Sequence, residues 1–275
     1  VPLSPADAAH REQTLAAHRA GAREIGCTVD GEPGWGWSDR SVSTHGLLDG
    51  EPVWIRTVGE DPRWITDGGF WTGNLDANII TGIPKPSVLA WTEGRTPERW
   101  FRTEAMTLVA APSGTVAPAP SAAPAVDRVW LSQLGTALDV LAAVPTERLG
   151  YTQEAVTRRL QEHFGDRVDF TVDRWVTSHN DLHWANLTAP SLAILDWEGW
   201  GLAPAGYDAA TLYCHSLLMP KMAAQVREQF ADVLDTPGGR RSQLLATARI
   251  LDRARHGDYD DLVGPVRNHA EGLLG

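Results

Sequence analysis

Apolar positions change their rhythm near residue 110. Before it they come in short runs bounded by turn signals: Val53-Trp54-Ile55 after Leu48-Asp49-Gly50, residues 87–91 after Ile83-Pro84-Lys85-Pro86, and residues 100–109. Such runs predict strands, and Asp-Gly predicts a tight antiparallel hairpin within the Gly-, Asp- and Trp-dense stretch 31–73. Ahead of them, Ser4 and Pro5 predict the cap and first turn of a helix running to about Glu24. Gly68-Gly69 and Phe70-Trp71 lead into a short crossing helix over 76–80, which Gly82 stops. Residues 112–125, rich in Ala, Pro and Ser, read as an exposed connection. Beyond it, apolar residues at three- and four-residue spacing predict helices over 126–144, 152–164 and 207–219, with about three more toward the C-terminus.

The order of elements predicts an α+β protein. A small antiparallel sheet lobe with a leading helix occupies 1–109, and a larger, mainly helical lobe occupies 110–275. Composition narrows the partners: with 24 basic and 35 acidic residues the formal charge is −11, which disfavours nucleic acid and suits a cationic ligand. No apolar stretch is long enough to cross a bilayer and the first residues do not resemble a signal peptide, so no membrane partner and a cytoplasmic location are expected. Cys27 and Cys214 read as buried free thiols. Oligomeric state is not set by any of these features.

The chemistry concentrates in His179-Asn180-Asp181-Leu182-His183-Trp184-Ala185-Asn186 and, after a short apolar run, Asp196-Trp197-Glu198. An Asp, an Asn five residues on and a second Asp ten residues later supply what phosphoryl transfer needs. The first Asp orients an acceptor hydroxyl and takes its proton; the others offer oxygen ligands to Mg2+, a hard cation. His179 and His183 stand four apart, as zinc ligands on a helix would, but Asn180-Asp181 between them favours a turn.

This segment resembles the catalytic loop of the aminoglycoside phosphotransferase and choline kinase family, with Asn180 where the family typically has glycine. The resemblance implies a protein-kinase-like fold. It also implies Asp181 as catalytic base, Asn186 and Asp196 as metal ligands, and His179 as a support of the loop. Asp208, in Pro204-Ala205-Gly206-Tyr207-Asp208, matches the family's acidic residue that opens a helix and braces the loop, although a cap alone explains it too. Glu198 is read as a contact to metal or substrate, or as a solvated carboxylate.

Upstream, the resemblance implies a phosphate-covering hairpin, with the Ser38 hydroxyl and its neighbouring amides near a phosphate, and Arg56 where the family usually has lysine. The glutamate that normally partners that lysine falls near Thr72; the nearest carboxylate on the expected helix, Asp76, is paired with Arg56 instead. The Thr107 carbonyl and Val109 amide would hold the base of ATP or GTP.

For the acceptor, Trp184 is expected as a wall, beside Glu198, Asp258 and Asp261, because indole faces and carboxylates both attract cations. The resulting expectation is an ATP- or GTP-dependent kinase of a small cationic antibiotic, led by an aminoglycoside, which would confer resistance. Alternatives are a cyclic peptide of the capreomycin and viomycin type, a choline, homoserine or sugar kinase, and a catalytically silent nucleotide-binding relative.

Overall fold

The computed structural model describes residues 5–65, 69–110, 117–167 and 169–275. Ser4, Gly68 and the first part of the 112–125 connection lie outside the described residues. The chain forms two compact units, Val1–Ile79 with Pro86–Ala110, and Ile80–Lys85 with Ala111–Gly275.

The first unit opens with α1 (Pro5–Glu24) and carries β1 (Cys27–Trp35), β2 (Ser41–Leu48), β3 (Glu51–Glu60), β4 (Val88–Arg95) and β5 (Trp100–Thr107). They form one antiparallel sheet in the order β1-β2-β3-β5-β4. The β2–β3 turn places Asp49 and Gly50 at φ 53° and 86°, as the Asp-Gly signal requires. Side chains alternate across β3 and β5. Thr57 and Thr103 face α1, where His18 bonds Thr57 and Thr44 at 2.9 and 3.0 Å and Thr57 bonds Thr103 at 2.8 Å. Gly21 is required there, because a Cβ on it would sit 2.2 Å from Thr103 Oγ1. Ala22, Cys27, Val53, Ile55 and Ala105 fill the core beneath α1.

The crossing helix differs from expectation. It is a single turn, α2 (Gly73–Asp76), followed by a 3₁₀ turn Ala77–Ile79, so it begins three residues earlier than the apolar pattern suggested. Thr72 initiates it: its carbonyl accepts from the Asp76 amide at 2.8 Å and its hydroxyl donates to the Asp76 carboxylate at 2.6 Å.

The second unit contains α3 (Arg128–Ala142), α4 (Gln153–Phe164), β6 (Trp175–Ser178), β7 (Gly201–Pro204), α5 (Tyr207–His215), α6 (Pro220–Gln229), α7 (Ala231–Leu234), α8 (Pro237–Ala254) and α9 (Asp260–Leu274). Asp127 caps α3 and Thr152 caps α4, each accepting a backbone N–H. Leu134, Leu141, Leu160, Leu212, Leu245, Leu262 and Val266 are wholly or nearly wholly buried among these helices. Strands β6 and β7 pair antiparallel and close off the segment 179–200 between them. The Ile194 amide donates to the Pro84 carbonyl at 2.8 Å, which fixes the Pro84-Lys85 segment to this unit. Among the described residues no helix is long and apolar enough to cross a membrane, and both cysteines are buried and free.

Candidate active site

Strand β6 ends at Ser178, and the chain turns sharply through His179, Asn180 and Asp181. Asn180 has φ 69°, a left-handed conformation that glycine adopts without strain and that asparagine tolerates better than most residues. Asparagine can therefore stand where the loop it resembles has glycine. The Asn180 side chain uses its place, donating to the Gly199 and Gly201 carbonyls at 3.0 and 3.3 Å.

Asp208, in the first turn of α5, braces the loop. Its carboxylate accepts the His179 and Asn180 amides at 2.7 and 2.9 Å. Burial pushes its pKa up to about 6 against the pull of those hydrogen bonds. His179 is wholly buried; its Nε2 meets the Leu195 carbonyl at 2.8 Å, while Nδ1 faces the Asp181 amide at 3.3 Å, which sets the Nε2–H tautomer. Burial lowers its pKa to about 4, so it stays neutral and structural.

Asp181 is half-buried and meets a cation that the sequence did not reveal. Arg249, on α8, donates to Asp181 Oδ1 at 2.7 Å and also to the Asn180 carbonyl. Burial alone would raise the Asp181 pKa, but the Arg249 charge, with help from His183, overcomes it and holds the carboxyl well below the usual range. His183 Nε2 lies 3.5 Å from Asp181 Oδ2. Some seventy residues separate Arg249 from the loop, and no motif announces it.

Asn186 and Asp196, the residues expected as metal ligands, stand on neighbouring stretches of backbone. Asn186 donates through Nδ2 to the Asp181 carbonyl at 2.9 Å, which leaves Oδ1 as its ligand atom. The Leu195 amide donates to the Asn186 carbonyl at 2.8 Å and Leu187 bridges Ile194, so Asn186 and Asp196 are held side by side. Asp196 is exposed and left-handed at φ 59°. One amide oxygen and one carboxylate fit Mg2+, which keeps its remaining positions for phosphate and water. Among the described residues no group of three or more His, Cys, Asp or Glu forms a metal site.

Glu198 follows on a 3₁₀ turn whose backbone is clamped by Arg148, through the Glu198 carbonyl at 2.7 Å and the Trp200 carbonyl at 2.5 Å. Trp184, expected as a wall for the acceptor, is instead a core residue. It is 1% exposed, stacks on Trp130 at 6.1 Å and donates to Ser216 at 2.9 Å, so it has no face to offer. Trp197 and Trp200 are buried as well.

A different aromatic group lies near Asp181. The His183 and His215 rings are 5.5 Å apart, and His215 meets the Tyr259 ring edge-on at 5.1 Å. Beside Tyr259, Arg253 pairs with Asp258 at 2.8 Å. Tyr259 feels the charges of both Asp181 and Asp258, so the turn between α8 and α9 stands close to the Asp181 loop. Asp261 lies exposed in the first turn of α9.

In the first unit, Ser38 is exposed at the tip of the β1–β2 connection with φ 49°, followed by Asp39 at φ 56°. Arg11 of α1 holds Asp39 through bonds of 2.7 and 2.8 Å. Arg56 is half-buried on β3, directly across from Glu104 of β5. Asp76 accepts from Thr72, and Asn74 rather than Asp76 bonds Glu104, at 3.0 Å. Thr107 ends β5, with its amide and hydroxyl both bonded to the Ser87 backbone at 2.9 Å. Val109 is half-buried just past that strand, and its amide has no partner among the described residues.

No family model and no curated protein matches the sequence. Solved structures do match. The aminoglycoside phosphotransferase APH(4)-Ia shares 13% identity over 97% of this chain and 98% of its own, with a TM-score of 0.63. The APH(3'')-Id enzyme of Streptomyces rimosus shares 18% identity over 87% of this chain and 97% of its own, with a TM-score of 0.55. A type VIII aminoglycoside-3'-phosphotransferase shares 16% identity over 86% and 98%, with a TM-score of 0.54. Structures of the first hold ADP or AMP-PNP with hygromycin B, and one of the second holds ADP with streptomycin. The chain thus has the α+β, protein-kinase-like fold of the aminoglycoside phosphotransferases.

Proposed function

We propose that this protein transfers the γ-phosphoryl group of ATP to a hydroxyl of a small cationic acceptor, with an aminoglycoside as the leading class and drug resistance as the outcome. The observation that carries the reading is the Asp181 loop: an ionised carboxylate held by Arg249 and His183, with Asn186 and Asp196 juxtaposed beside it.

Asp181 accepts a hydrogen bond from the acceptor hydroxyl and aligns its oxygen for attack on the γ-phosphorus. As that P–O bond forms, the bond to the β–γ bridging oxygen breaks, ADP departs and the hydroxyl proton passes to the Asp181 carboxylate. The low proton affinity of Asp181 suits a late transfer, in which orientation matters more than basicity. Asp208 and His179 keep the loop in place through the bonds described above. Asn186 and Asp196 would hold Mg2+, which when bound offsets phosphate charge. Arg56 and the Ser38 loop are assigned to the nucleotide phosphates, and the Thr107 carbonyl and Val109 amide to the base.

For the acceptor, Asp258 is the favoured carboxylate, since it sits beside Tyr259 in the turn nearest Asp181. Tyr259 takes the aromatic role that Trp184 cannot fill. Glu198 and Asp261 remain secondary contacts. The test incubates pure protein with magnesium, labelled ATP or GTP, and a panel of aminoglycosides, capreomycin-type peptides, choline and homoserine. Label transfer to an aminoglycoside, lost in Asp181→Ala, supports the reading. Transfer only to another acceptor moves the substrate assignment, and nucleotide binding without any transfer marks a silent relative.

A further inference from the structure

The turn assigned above to the nucleotide phosphates carries a carboxylate at its tip, where a phosphate is repelled by negative charge. Trp37, Ser38 and Asp39 form one 3₁₀ turn, and two consecutive residues that are not glycine, Ser38 at φ 49° and Asp39 at φ 56°, hold left-handed backbone. Such conformations crowd a Cβ and persist where neighbouring groups impose them. The sheet fixes the base of the turn. The Gly36 amide donates to the Ser41 carbonyl at 2.9 Å, the Gly59 amide donates to the Arg40 carbonyl at 3.1 Å, and Arg40 pairs with Glu60 at 2.8 Å. These bonds do not direct the Asp39 side chain.

Helix α1 does. Arg11 donates through Nε to Asp39 Oδ2 at 2.7 Å and through Nη2 to Oδ1 at 2.8 Å, a fork that engages both carboxylate oxygens. His10 Nε2 lies 2.9 Å from the Asp39 carbonyl, and because a carbonyl only accepts, the ring nitrogen donates. The Arg11 guanidinium also stands 4.9 Å from the centre of the Trp35 ring, at the end of β1. Two adjacent residues of one helix thus hold a single turn residue by its side chain and by its main chain. The fork lowers the Asp39 pKa, so the carboxyl is ionised with its charge matched by Arg11. The two side chains are 34% and 23% exposed, and a pair so open to water adds little stability. Its contribution is one of position.

We propose that Arg11 is a positioning residue for nucleotide binding: it holds the Asp39 carboxylate against α1 while His10 holds the Asp39 backbone, so that Ser38 and the turn amides meet phosphate without an opposing charge. Released from Arg11, Asp39 would present an unmatched negative charge beside the Ser38 hydroxyl. The leading helix is then a working part of the phosphate-covering turn.

This rests on the reading of the Ser38 turn as a phosphate cover, and direct binding separates the two. ATP, ADP and adenosine are titrated calorimetrically into the intact protein and into Arg11→Met, Arg11→Lys, Asp39→Asn and the double variant Arg11→Met with Asp39→Asn. Arg11→Met is expected to weaken ATP about five-fold and ADP about three-fold and to leave adenosine within about 1.5-fold, because adenosine has no phosphate. Arg11→Lys keeps the charge and loses the fork, so ATP should weaken by about two-fold. Asp39→Asn and the double variant, which carry no carboxylate on the turn, should both bind ATP within about two-fold of the intact protein. The ratio of ATP affinities between the intact protein and Arg11→Met should shrink at about 0.5 M salt, as screening requires. Unchanged ATP affinity in Arg11→Met, equal weakening of adenosine, or no recovery in the double variant would overturn the inference and leave the functional reading standing. An intact protein that binds ATP no more tightly than adenosine, or binds neither, would remove the phosphate-cover reading and this inference together.

Discussion

Substituting Gly150 by alanine tests the fit of the catalytic loop against its support. A Cβ at position 150 would lie 2.0 Å from Asn180 Nδ2, 2.9 Å from its Cγ and 3.0 Å from the Leu202 carbonyl oxygen. The Asn180 side chain must then leave, losing its bonds to the Gly199 and Gly201 carbonyls. Each such bond contributes about 1 kcal/mol, and residual crowding against Leu202 adds about 1 more, so Gly150→Ala should cost about 3 kcal/mol. Asn180→Gly loses the same bonds but relieves the left-handed strain at φ 69°, for a net cost of about 1 kcal/mol. In that background Gly150→Ala meets only Leu202. The double variant should therefore cost about 2 kcal/mol rather than the additive 4, a coupling of about 2 kcal/mol. Urea denaturation of the four proteins measures this through the midpoint, provided the slope is constant. Additivity within about 0.5 kcal/mol would refute the claim that Gly150 exists to admit Asn180.

Asp181→Asn should lower kcat by a factor of about 1,000 or more while leaving ATP binding within about three-fold; retained turnover would exclude it as the base. Arg249→Met should raise the Asp181 pKa and shift the acidic limb of the kcat profile upward, and a profile that does not move would show that Arg249 does not set the charge. Arg253→Ala removes the cation paired with Asp258, so KM for a cationic acceptor should fall about three-fold at constant kcat; a rise would place Arg253 in acceptor binding itself.

Acid stability is a further test. His18 and His179 are fully buried with pKa values lowered to about 4, so between about 4 and 6.5 the folded state binds fewer protons than the unfolded one and loses stability as pH falls. Each withdraws roughly 3 kcal/mol by pH 4, at about 1.4 kcal/mol per pH unit. Asp208, raised to about 6, acts in the opposite sense with a similar magnitude, so the histidines prevail. The melting temperature should fall from pH 7 to pH 5; a rise would contradict the assigned burial.

Chain-local signals carried well where the physics is local. The Asp49-Gly50 turn and the 3.6-residue rhythm that placed the helices near 126–144 and 152–164 depend on neighbours within a few residues. The grouping of Asp181, Asn186 and Asp196 was readable for a similar reason, since they sit on one loop and the backbone that returns beside it. The crossing helix was misplaced because a single turn spans too few residues to establish a period. Trp184 was misassigned because proximity in sequence says nothing of direction: its ring points inward onto Trp130.

The sequence by itself determined which candidate groups share one continuous loop, because residue types and their spacing place Asp181, Asn186 and Asp196 within one short stretch of chain. Tertiary structure alone decided their electrostatic state. Arg249 reaches Asp181 only through the packing of α8, and Asp208 reaches the loop amides through the first turn of α5. Charges act across space, and the pairs that matter lie 28 to 69 residues apart along the chain.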